Sequence, residues 1–117
     1  MIEASLEIDG AVHKVSLLPV ENAVLAFFYD NMFKIGTLAV SSPGLREEGA
    51  GTSSVLLGGK YLIAARALAE RVAAVYKKMS IVSINTTLSE GEALRLYANL
   101  LEKARSGATN EPGSSKG

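Results

Sequence analysis

A chain of 117 residues, 48% of them hydrophobic, has the length of one domain and enough apolar content for a core that needs no staples. Twelve basic residues balance twelve acidic ones, which leaves neither the basic footprint of a nucleic-acid binder nor a polybasic stretch for a membrane surface. Cysteine is absent, which removes disulfides, thiol catalysis and cysteine metal sites together. Glutamine and tryptophan are absent too, and this scarcity of thermolabile residues predicts a thermophilic source.

The first residues, Met1 to Ser5, lack a basic region followed by an apolar one, so no signal peptide is expected and the predicted location is cytoplasmic. Residues 2–8 and 11–18 then alternate with period two around Asp9-Gly10. Asp-Gly between two such runs predicts a hairpin, because a type I′ turn needs positive φ at both central positions. If Ile8 opposes Ala11, then Leu6 opposes His13, Ala4 opposes Val15 and Ile2 opposes Leu17, and this register sorts the apolar from the polar side chains.

A second hairpin is predicted, with Asn22–Tyr29 and Met32–Val40 flanking Asp30-Asn31. Both of its faces are apolar, which predicts strands covered on both sides. One face carries Val24, Phe28, Phe33 and Ile35, the other Leu25, Phe27 and Leu38. A long polar and glycine-containing loop follows from Ser41 to Ser54; loops of this length are usually functional or mobile, and high mobility is expected from Ser42 to Thr52.

A short strand, 54–57, ends at Gly58-Gly59, and an amphipathic helix is predicted from about Lys60 to Lys78. Arg66, Glu70 and Arg71 interrupt its apolar stretch, so it does not read as a membrane span. Residues 80–87 read as another strand. Ser89-Glu90-Gly91-Glu92 then fits a capping box and starts a second helix with Ala93, Leu94, Tyr97, Leu100, Leu101 and Ala104 on its apolar stripe. The composition from Ser106 onward predicts a disordered tail whose removal from Gly107 changes stability little, so the expected domain is 1–105 and the tail 106–117. The expected fold class is α+β: a two-layer, antiparallel-rich sheet with two helices on one face, in the order hairpin, hairpin, strand, helix, strand, helix.

Candidate chemistry is sparse. His13 is the single histidine and lies on the apolar face of the first hairpin without a motif partner, so it reads as structural. Gly58-Gly59-Lys60 stands between a strand and a helix, but a phosphate loop needs a glycine where Ser54 stands and Ser or Thr where Tyr61 stands. The glycines read instead as a tight turn. Glu47-Glu48 reads as solvated loop charge, and Glu90 and Glu92 as acids favoured at a helix start. Lys34 lies among apolar neighbours and is open to two readings, a snorkelling side chain or a partner for a carboxylate of another protein. No catalytic, metal or cofactor residue emerges, and the chain is expected not to be an enzyme.

Two segments carry a resemblance. Phe33-Lys34-Ile35-Gly36-Thr37-Leu38, then a polar loop, then Val55-Leu56-Leu57-Gly58 followed by helix, strand and helix, resembles the proteasome assembly chaperone family, its third and fourth members. The similarity spans roughly Val12 to Ala104. It implies a small, non-catalytic, dimeric protein that binds proteasome α-subunits and promotes α-ring assembly, and it suggests an archaeal-type relative that pairs with itself. The hydrophobic-Tyr-X tail of another chaperone class in that pathway is not found at the end of this sequence.

The alternative is a roadblock-like or profilin-like dimeric scaffold, although such modules usually begin with a helix. Two helices cover one face of a sheet, so self-pairing is expected through the other. The expected interface is Val24, Phe28, Phe33 and Ile35; the second choice is the face with Leu25, Phe27 and Leu38. The expected partner-binding loop is Leu45, Arg46, Glu47 and Glu48.

Overall fold

A computed structural model describes residues 1–43 and 53–110. Its elements in chain order are β1 (Ile2–Ile8), β2 (Ala11–Pro19), β3 (Ala23–Asp30), β4 (Thr37–Ser41), β5 (Ser53–Leu57), α1 (Leu62–Tyr76), β6 (Met79–Asn85) and α2 (Glu90–Asn110). The strands form one six-stranded sheet in the order β1-β2-β3-β6-β4-β5. Every pairing is antiparallel except β3 with β6. The protein is therefore α+β, as the order of patterns predicts.

The first hairpin has the register derived from its side-chain sorting, from Ile8 opposite Ala11 to Ile2 opposite Leu17. Asp9 and Gly10 both take positive φ, 51° and 82°, as a type I′ turn requires. His13, Val15 and Leu17 consequently point towards the helices and are buried.

The core lies between one sheet face and the two helices. Val15, Leu17, Val24, Ala26, Phe28, Ala39, Val82 and Ile84 supply the sheet side. On α1 the buried positions are mostly alanine, Ala64, Ala65, Ala69 and Ala73, together with Leu68 and Val72. These small residues let the helix axis lie close to the strands. Tyr97, Leu100 and Leu101 fill the space beneath α2.

The predicted second hairpin does not form. Strands β3 and β4 are not neighbours, because β6 lies between them, parallel to one and antiparallel to the other. Asp30-Asn31 ends the β2–β3 ladder instead of closing a turn. Asn31 takes the left-handed conformation, φ 59°, donates its N–H to the Val12 carbonyl and accepts the Val12 N–H on Oδ1. The hairpin partner of β4 is β5. The doubly apolar pattern of residues 23–29 predicted strands covered on both faces; the helices cover the face of Val24, Ala26 and Phe28, and no described helix covers the other.

Helix α2 begins with the expected capping box. The Glu92 N–H meets Ser89 Oγ and the Ser89 N–H meets Glu92 Oε1, each at 3.3 Å. The helix runs to Asn110, past the expected domain end at 105, so residues 106–110 belong to it and not to a tail. The expected loop of 42–52 falls mostly outside the described residues.

Candidate functional site

Two regions of the molecule present themselves for function. The first is the sheet face that carries no helix. Its register places Leu57, Leu38, Ser83, Phe27, Ser16 and Glu3 in one row across the strands, and Val40, Ile81, Leu25 and Leu18 in the next. The β1 end of this face is polar. Ser16, buried between strands, meets Tyr29 Oη at 3.1 Å and donates to Glu3. The rest is apolar. Phe33, from the segment after β3, folds over it, stacking on Tyr29 with centroids 4.7 Å apart and lying 5.0 Å from Phe27.

This placement corrects the expected interface. Val24 and Phe28 are fully buried beneath the helices and reach no partner. The outward side chains of β3 and β4 include Leu25, Phe27 and Leu38, the second choice in the sequence reading, together with Tyr29 and Val40. Phe33 and Ile35 are exposed, as proposed for an interface, but they lie in the non-strand segment between β3 and β4. Leu45, Arg46, Glu47 and Glu48 lie outside the described residues. Ile81 and Leu57 join the outer face without having been singled out. The alternation of Ile81 against Val82 and Ile84 was the one signal available for the first.

The second region is the sheet end where β3, β5 and β6 finish and β4 and α1 begin. The two resembling segments meet here. Leu38 pairs with Leu57, and Thr37 Oγ1 donates to the Lys60 carbonyl at 2.5 Å. Gly36 lies against the Ile84 carbonyl so closely that a Cβ would overlap it, and Gly58, at φ 118°, leaves no room for one beside Thr37. The glycines of both segments thus serve backbone contact between strands.

A polar cluster closes the same end. The Asp30 carboxylate accepts from Thr86 Oγ1 at 2.8 Å, the Thr87 N–H at 2.9 Å and Thr87 Oγ1 at 3.1 Å. His13 Nδ1 is 3.1 Å from the Tyr97 hydroxyl, which also meets the Thr86 side chain. Thr86 Oγ1, which donates to Asp30, accepts the Leu88 N–H at 3.2 Å. Burial pushes the Tyr97 hydroxyl up to about 12, so it stays protonated through the neutral range.

Tyr61, left-handed at φ 60° just before α1, sets its hydroxyl 2.7 Å and 2.6 Å from the carbonyl oxygens of Thr86 and Leu88. Glu90 Oε2 accepts the N–H groups of Ile63 and Ala64, at 2.6 Å and 2.8 Å. The anion position at the start of α1 is therefore filled by the protein's own carboxylate, which leaves the Gly58-Gly59-Lys60 turn without a phosphate cradle.

Among the described residues, no group of three or more His, Asp or Glu side chains is placed to hold a metal ion. No described helix is long and apolar enough to cross a membrane. No protein-family model matches the chain, and no curated protein matches it.

Proposed function

We propose that this protein is a non-catalytic assembly chaperone that binds proteasome α-subunits and promotes assembly of the α-ring, acting in the cytoplasm as a homodimer. The observation that carries the binding-module reading is the helix-free sheet face, whose half-buried apolar strip of Leu25, Phe27, Leu38, Val40 and Ile81 is covered by no helix among the described residues, with Phe33 folded over part of it. Soluble monomers rarely leave a contiguous strip of this kind uncovered.

The polar groups best suited to chemistry favour the same reading. His13 is bound to Tyr97, Asp30 to two threonines, Glu90 to the start of α1 and Glu92 to Ser89. The identity of the client rests on the resemblance of Phe33–Leu38 and Val55–Gly58. Copurification tests it. The tagged full chain is expected to retain recombinant proteasome α-subunits and to speed their assembly into rings. Failure to retain any α-subunit sinks the proposal.

A further inference from the structure

The helix-free face is not level. Tyr29 stands on it and yet is only 4% exposed. Its hydroxyl reaches sideways to Ser16 Oγ on β2, so its ring lies along the sheet, and Phe33 stacks over that ring with the two planes 18° apart. Phe33 itself is 51% exposed, so it covers without being covered. The segment that carries it is tied to β6: the Gly36 N–H donates to Ser83 Oγ, and Asn85 donates to the Ile35 carbonyl. The end of the face where β3 finishes therefore bears an aromatic layer above the strands. Towards the other end runs the row Val40, Ile81, Leu25 and Leu18, which stays partly exposed at the level of the strands.

A raised end and a low end on one face complement a second copy of the same face turned end for end. Two sheets packed face to face keep their strands roughly aligned, and a two-fold contact achieves this in two ways. With the axis along the strands, raised end meets raised end, and the low rows are held apart. With the axis across the strands, each Phe33 stays over the same pair of strands and descends on the low row of the other copy. Both steps are then filled. Charge selects neither arrangement, because each end is mixed: Asp30 and Lys34 stand at one, Glu21 and Lys78 at the other.

We infer that the proposed homodimer is a sandwich of two sheets whose strands run in opposite directions, in which Phe33 of each copy seats on Leu25 and Ile81 of the other. Phe33 is then the anchor of the contact, an exposed aromatic ring entering an apolar recess at its centre. The inference rests on the self-pairing in the proposed function and gives it an orientation. The proteasome client is no part of it.

The chain has no cysteine, so introduced thiols report on the contact alone. Full-length Lys34→Cys and Ile81→Cys variants are mixed and mildly oxidised. A disulfide-linked dimer holding one copy of each is expected in the mixture, and no linked dimer from Lys34→Cys by itself. In the cysteine-free chain, Phe33→Ala is expected to weaken self-association about ten-fold by light scattering, with little change in melting temperature. Phe33→Tyr is expected to retain it. Ready crosslinking of Lys34→Cys by itself means strands running in the same direction and overturns the inference. So does a dimer that forms neither disulfide, or one whose affinity Phe33→Ala leaves unchanged. In each of those cases self-pairing stands and only its orientation falls. A wild-type chain that stays monomeric overturns the orientation and the self-pairing together, and retention of α-subunits then decides the client separately.

Discussion

Asp30 ends a strand whose other residues are all apolar, and its carboxylate accepts three hydrogen bonds from two consecutive threonines. Burial alone raises its pKa. The Thr87 N–H and the two threonine hydroxyls outweigh that effect, with the charge of His13 assisting, and hold the carboxyl below its usual value of 3.8. A depressed carboxyl stabilises the fold fully above the unfolded pKa and loses that contribution as pH falls through the lower folded value. Asp30→Ala is therefore expected to cost about 2–3 kcal/mol at neutral pH. The gap between variant and wild type should close in strong acid. Denaturant unfolding at a series of pH values checks this, and a gap that stays constant into acid excludes the ionised carboxylate as its cause. At this scale the sequence was partly legible. His13 read as structural because nothing near it in sequence suggested a partner, and its partner, Tyr97, stands far along the chain on α2. Asp30 was read as a turn residue, since Asp-Asn between two apolar runs is what a turn looks like locally.

The elements whose determinants are local were read correctly. The Asp9-Gly10 turn, the β1–β2 register and the Ser89–Glu92 capping box each depend on residues a few positions apart. The β3–β4 pairing depended on a strand not yet met in the chain, β6, and no local pattern distinguishes a strand that turns back from one that receives a parallel neighbour. Glu90 gives the same lesson for helices. Next to a capping serine it reads as an acid favoured by its own helix dipole, yet its carboxylate caps the other helix. Glu90→Ala should therefore destabilise α1 more than α2. The expected cost is about 1 kcal/mol, with hydrogen exchange accelerated at the Ile63 and Ala64 amides and little changed through the middle of α2. Unaltered protection at Ile63 and Ala64 would falsify the cross-helix cap.

For the whole molecule, two adjacent phenylalanines separate folding from association. Residues 27 and 28 point to opposite faces of the same strand. Phe28 is fully buried against Tyr97, with ring centroids 5.4 Å apart, whereas Phe27 is half-buried on the helix-free face under Phe33. The sequence established that β3 has two apolar faces but not which face the helices take, because that choice is made by chain segments more than thirty residues away. With the choice fixed, the substitutions diverge. Phe28→Ala opens a cavity in the core and is expected to cost about 3–5 kcal/mol of folding stability. Phe27→Ala should change folding little and weaken self-association by about 2 kcal/mol if its ring is an anchor of the paired face. Thermal melts read the first effect, and light scattering over a micromolar concentration series reads the second. Wild-type protein that scatters as a monomer throughout that range refutes self-pairing. A dimer that tolerates Phe27→Ala and Leu38→Ser unchanged moves the contact to another surface and leaves the open strip to a different protein.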